Sequence, residues 1–206
     1  MIACPWGARE VLGGMPMFAE SFGVYQRELA KVLAAIRPAD LEAMAGLLED
    51  ALAQKKQVFV LGNGGSAAAA THWVCDFNKG TAVNGFPRAR FICLSDNLST
   101  FTALANDISY GDVFTEQLKN FLEPGDVVLG LSVSGNSENV VKALSYARES
   151  GAATIAVVGD FGGRMLSVAH TTLCIQSRNY GIVEDIHIVL GHSISQYIRN
   201  KRGSTT

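Results

Sequence analysis

Apolar side chains recur at Phe18, Phe22, Tyr25, Leu29, Val32 and Ile36, in steps of four and three, which is the spacing of one helix face. Pro38 interrupts that pattern, and Asp40 stands where it can cap a second helix carrying Leu41, Met44, Leu48 and Leu52. Lys55 and Lys56 close that helix with the charge its dipole favours. The period then changes. Val58 to Leu61 is a short apolar run, too brief for a helix and rich in branched and aromatic residues, so it reads as a buried strand. Arg90 to Leu94, Asp126 to Leu131, Ala153 to Val158 and Thr171 to Ile175 read the same way. Helical spacing returns between them, in the Ala-rich stretch after Ser66, at Leu98, Phe101 and Leu104, at Val113, Phe114, Leu118 and Phe121, and at Val140, Val141, Leu144 and Ala147. The segment from Gly181 to Arg199 is the last helix.

Strands alternating with helices require crossover connections, hence an α/β fold with a parallel sheet covered on both faces. Residues 17–206 form one domain, and residues 1–16 read as a loose N-terminal tail. The first two helices are not needed for a strand-helix-strand unit. They serve either assembly or the covering of the subunit's own sheet. In such sheets ligands sit beyond the carboxyl ends of the strands. The first three strands end in small polar residues: Asn63 to Ser66, Ser95 with Asp96, and Ser132 to Ser137.

Composition narrows the partners. A net charge of −2 provides no basic field, which argues against nucleic acid. The four cysteines have no Cys-x-x-Cys spacing and read as free thiols of a reduced cytoplasm. Since no continuous apolar run is long enough to span a bilayer, no membrane association is expected. The N-terminus also lacks the basic start and apolar stretch of a signal peptide.

Two turns carry candidate chemistry. In GNGGS, residues 62–66, the glycines permit close backbone approach, Asn63 and Ser66 offer side-chain hydrogen bonds, and the free N–H groups of the following helix face whatever lies above. The turn lacks the terminal Lys-Ser/Thr of a P-loop and the spacing of a dinucleotide fingerprint. In SVSGNS, residues 132–137, three hydroxyls surround a helix start where capping needs one, which suits a phosphate monoester. His72 and Asp76 lie one turn apart on one helix face, and His192 follows Glu184 and Asp185 on the last helix. Such a set binds a divalent metal such as zinc, passes protons without one, or consists of ordinary ion pairs and core histidines. Spacing alone leaves all three open.

GNGGSAAAATHW, SDNLSTFTALANDISYGDVF, SVSGNSENV and VEDIHIVLGH, in that order, resemble the sugar isomerase (SIS) domain, and within it the phosphoheptose isomerase branch. The resemblance implies a flavodoxin-like five-stranded parallel sheet, an N-terminal helical pair used in assembly, and a homotetramer with sites between subunits. It implies conversion of sedoheptulose 7-phosphate to D-glycero-D-manno-heptose 7-phosphate, for lipopolysaccharide or capsule. The alternative is a non-catalytic sugar-phosphate-binding regulator or a replication initiator-associated assembly protein. A pure binder has no need of the His/carboxylate set. The family's substrate contacts fall on Asn63, Gly64, Ser66, Asp96, Ser132, Ser134 and Ser137. Its zinc ligands fall on His72, Asp76, Glu184 and His192, with Asp76 in place of a glutamate and Glu184 in place of a glutamine. Asp76 or Glu184 is then the candidate base and His192 the second acid/base.

Overall fold

The computed structural model describes residues 17–204, so the tail expected over residues 1–16 lies outside the described residues. Five parallel strands, β1 (Val58–Leu61), β2 (Phe91–Cys93), β3 (Val127–Ser132), β4 (Ala153–Gly159) and β5 (Thr171–Ile175), form one sheet in the order β2-β1-β3-β4-β5. The order reverses at β1, with β2 on one side and β3 on the other, so a crevice opens at the carboxyl ends of β1 and β3. Strands β1 and β3 are buried along their whole length, as a sheet covered on two faces requires.

Helices α1 (Phe18–Ala34), α2 (Pro38–Ala53), α3 (Gly64–Cys75) and α8 (Tyr180–Gly203) share one face of the sheet. Helices α4 (Leu98–Asp107), α5 (Val113–Phe121), α6 (Glu138–Glu149) and the short α7 (Met165–Val168) cover the other. The two N-terminal helices differ in burial. Helix α2 buries Met44, Leu48 and Leu52 in the same core as Val58 and Val60, so it covers the subunit's own sheet. Helix α1 leaves Phe18 83%, Phe22 50% and Val24 55% exposed, while Tyr25 and Leu29 lie against the core. Pro38 does not end α1, which stops at Ala34. It opens α2 instead, where its missing N–H costs nothing, and Asp40 holds the Arg37 guanidinium at 2.6 and 2.8 Å in place of capping the backbone. No helix among the described residues is long and apolar enough to cross a membrane.

The contact between α3 and α8 fixes the site. Trp73 is fully buried and donates its indole N–H to the His187 carbonyl at 2.8 Å. A Cβ on Gly191 would lie 2.5 Å from the indole nitrogen, so only glycine lets the two helices approach this closely. Gly65 meets Glu184 and His72 meets His192, which makes the two helices parallel. After α3 the chain widens into a π-helical turn, Asp76–Gly80, beginning at a residue singled out for chemistry.

His187 is the price of that contact. Its ring is completely buried, and neither nitrogen makes a sound hydrogen bond. Burial, only partly offset by the Val157 backbone, pushes its pKa down from 6.5 to about 4. The folded state therefore binds fewer protons than the unfolded chain in this interval. Stability is full above pH 6.5 and falls by about 3 kcal/mol as pH drops to about 4. Chemical denaturation across that range is expected to show the loss, and His187→Leu, similar in volume, is expected to flatten it.

Candidate functional site

Two helix starts converge at the crevice. Asn63 and Ser137 occupy the N-cap positions of α3 and α6, and neither side chain caps its own helix. Between them lies a cleft of about 250 Å³ lined by Asn63, Gly64, Gly65, Ser66, Ser132, Ser134, Ser137, Tyr180 and Glu184. Unsatisfied N–H groups and two positive dipole ends facing one small polar cleft make an anion site. The serine turn has a fixed shape. Gly135 N–H donates to Ser132 Oγ at 3.2 Å, Ser132 and Ser137 hydroxyls lie 3.3 Å apart, and Ser134 Oγ accepts from the Asn136 N–H at 3.2 Å. Gly135 has φ +64°, and an added Cβ would lie 3.0 Å from Gly163 Cα, where the loop after β4 supports the turn.

The structure brings six of the seven expected substrate-contact residues to this cleft: Asn63, Gly64, Ser66, Ser132, Ser134 and Ser137. Asp96 is not among them. It is exposed, accepts a hydrogen bond from Thr71 at 2.8 Å and lines a separate cavity along edge strand β2. Its neighbour Ser95 faces a second cavity of about 220 Å³, which shares Asn63 and Gly64 with the cleft and is walled by Leu98, Phe101 and Tyr110. Sequence reasoning missed Tyr180, Tyr110 and Asn139, whose partners lie far away in the chain. The Asn139 side chain pairs with Asn63, 76 residues earlier.

Within one chain the members of the expected four-residue His/carboxylate set lie in two places. His72, Asp76 and His192 come together, with His72 Nε2 2.7 Å from His192 Nε2, and Asp76 Oδ2 3.3 and 3.5 Å from those two nitrogens. They form a group able to hold a metal ion among the described residues, and Glu184 is not part of it. Glu184 lies eight residues earlier on α8, about 12 Å along the helix axis, against Gly65 in the wall of the anion cleft. The parallel run of α3 and α8 imposes this separation. Burial first and the Asp185 charge second raise the Glu184 pKa, favouring its protonated form. Asp185 itself accepts from Tyr25 Oη of α1 at 2.7 Å.

The donor set of the group of three suits zinc. Bonds of about 2.0 to 2.1 Å at tetrahedral angles set ligand atoms about 3.3 Å apart, close to the 3.3 and 3.5 Å from Asp76 to the two imidazoles, which themselves stand nearer, at 2.7 Å, and would part slightly around an ion; three protein ligands leave a fourth position open. Asp76 Oδ2 is buried and accepts no hydrogen bond, an unsatisfied acceptor of the kind a cation satisfies.

The SIS domain family matches residues 24–159. A probable phosphoheptose isomerase of Thermoplasma acidophilum is 39% identical over 158 residues, covering 77% of this chain and 86% of the relative. The phosphoheptose isomerase of Aquifex aeolicus is 36% identical over 159 residues, 75% of this chain and 81% of the relative. Among solved structures, a phosphoheptose isomerase from Neisseria gonorrhoeae superposes with a TM-score of 0.81 at 26% identity, over 89% of this chain and all of that one.

Gly65 is where the first turn and Glu184 compete for space, since an added Cβ would be driven into the Glu184 carboxyl group. Gly65→Ala is expected to lower stability by about 1 to 3 kcal/mol in denaturant unfolding. Shortening the partner as well, in Gly65→Ala/Glu184→Ala, should recover most of that loss.

Proposed function

This chain belongs to the SIS domain family, in its phosphoheptose isomerase branch, and on that premise we propose that it converts sedoheptulose 7-phosphate to D-glycero-D-manno-heptose 7-phosphate. The observation that carries the reading is the cleft between two helix starts left uncapped by their N-cap side chains, with a His-Asp-His group further along the same α3–α8 pair. The phosphate takes the N–H groups of α3 and α6 with the Ser134 and Ser137 hydroxyls. That places binding energy remote from the reacting carbons, where it orients the sugar. Ketose-to-aldose conversion moves one proton between C1 and C2 and another between the two oxygens. Asp76 is the proposed base and His192 serves the oxygens, both toward substrate held in the cleft of a neighbouring subunit, because the rise from Gly64 to Asp76, about 18 Å, exceeds the length of a heptose phosphate. Glu184 lines the phosphate end of the cleft, where burial and the Asp185 charge raise its pKa.

His72, Asp76 and His192 would hold a zinc ion, which supplies Lewis-acid polarisation of a carbonyl oxygen. The exposed first turns of α1, with Phe18 and Phe22 on one side of the helix, are the proposed subunit contact of a homotetramer. Cys75, Cys93 and Cys174 are free thiols, in keeping with a cytoplasmic enzyme.

Purified protein is expected to convert sedoheptulose 7-phosphate, and to lose that activity with chelator. His192→Ala is expected to lower both turnover, by about 100-fold or more, and zinc content measured by elemental analysis. No conversion would overturn the isomerase reading. Full activity in metal-free protein would remove zinc and leave Asp76 and His192 as a proton relay.

Light scattering at micromolar concentration is expected to give the mass of a tetramer, reduced by Phe18→Asp with Phe22→Asp. A monomeric parent would remove the assembly.

A further inference from the structure

Asparagine is among the residues most favoured at a helix N-cap, because its side-chain oxygen accepts from the N–H of the second or third helical residue. Asn63 stands at that position of α3 with extended backbone, φ −115° and ψ 153°, yet it makes no cap bond. Its oxygen is already used. Asn63 Oδ1 accepts from Asn139 Nδ2 at 3.0 Å and from Tyr110 Oη at 3.0 Å, and a carbonyl oxygen has two lone pairs. The other half of the amide is held as well, with Asn63 Nδ2 donating to Asn139 Oδ1 at 2.9 Å. Asn139 is 1% exposed and its Oδ1 also accepts from the Val140 N–H at 3.0 Å, so it is fixed at the start of α6.

We propose that Asn139 and Tyr110 are positioning residues that hold the Asn63 amide away from its own helix, so that the Gly65 and Ser66 N–H groups stay free for an anionic ligand. Without them Asn63 does what asparagine does at an N-cap: it turns back and accepts from those N–H groups, competing with the ligand. The pairing also joins the turn after β1 to the turn after β3, so the residue that frees one helix start is anchored on the other. The inference rests on the reading of the cleft as a phosphate site, and it adds how that site is kept open.

The test uses inorganic phosphate on the full chain, with hydrogen exchange of the Gly65 and Ser66 amides followed in the phosphate-free protein. Asn139→Ala is expected to weaken phosphate binding about fivefold, the equivalent of one cap hydrogen bond, and to slow exchange at those two amides as Asn63 closes on them. Tyr110→Phe removes only a hydroxyl from a half-exposed ring, so it reports even where the Asn139 variant does not fold. It is expected to act in the same two directions, with about a twofold loss of affinity. Exchange that is unchanged or faster in the folded variants, the result of mere loosening, would overturn the proposal. So would phosphate affinity equal to the parent's. Should the parent itself bind no phosphate, the phosphate reading of the cleft fails, while slower exchange in the variants still reports on the Asn63 switch.

Discussion

The parallel packing of α3 on α8 is the constraint on which the rest of the site depends. The buried Trp73 indole lies against Gly191 and donates to the His187 carbonyl, which fixes the two helices both in separation and in axial register. With that register set, Gly65 must face Glu184 and His72 must face His192. A slip of one residue on either helix would rotate a side chain by about 100° and part both pairs. The constraint carries its own cost in the His187 imidazole, which is buried beside the contact without a sound hydrogen bond. Its neutral form is tolerated because the unperturbed pKa lies close enough to neutrality for burial to hold the proton off.

The same geometry separates two kinds of chemistry that would interfere if placed together. An anion cleft wants positive dipole ends and no nearby carboxylate, while proton abstraction or metal binding wants a carboxylate beside imidazoles. Asp76 and Glu184 answer this differently. Asp76 stands with two imidazoles at the far end of α3, more than a physiological screening length of about 8 Å from the helix start, so its charge acts weakly on a bound phosphate. Glu184 stands in the cleft wall, where burial and the Asp185 charge raise its pKa and so oppose its ionisation.

Much of the fold was legible because it is written in local periods. Runs of four to six branched residues marked the strands to within one or two positions, and their alternation with helices implied the parallel sheet. The two polar turns were legible as well, since a glycine-rich or serine-rich stretch between a strand and a helix has a local cause. The remainder depends on pairs distant in sequence. Asp96 follows a strand as the other polar ends do, but at the sheet edge it pairs with Thr71. Glu184 shares a helix with His192, yet helical rise over eight residues sets them at opposite ends of the contact. Asn63 was legible as a hydrogen-bonding side chain at a helix start, and only the fold shows that Asn139 and Tyr110 have taken its oxygen. Burial distinguishes the N-terminal helices: α2 meets the sheet, whereas α1 packs Tyr25 and Leu29 on the core and presents Phe18 and Phe22 outward.

A helix start without its side-chain cap costs about 1 kcal/mol, and the cleft is bordered by two. Loss of both at one place in a chain with buried inner strands and a double-sided core is tolerable, because that core does not depend on the helix ends. What it provides is a set of N–H donors already oriented and only partly satisfied, with the turns that carry them tied together by an amide pair. A phosphate that enters then takes the place of the absent caps and meets donors that need little reordering, so less of its binding energy is spent on immobilising the site. The same residues that make α3 and α6 imperfect as isolated helices therefore make their junction a ligand site, and the sheet beneath supplies the stability that the helix ends forgo.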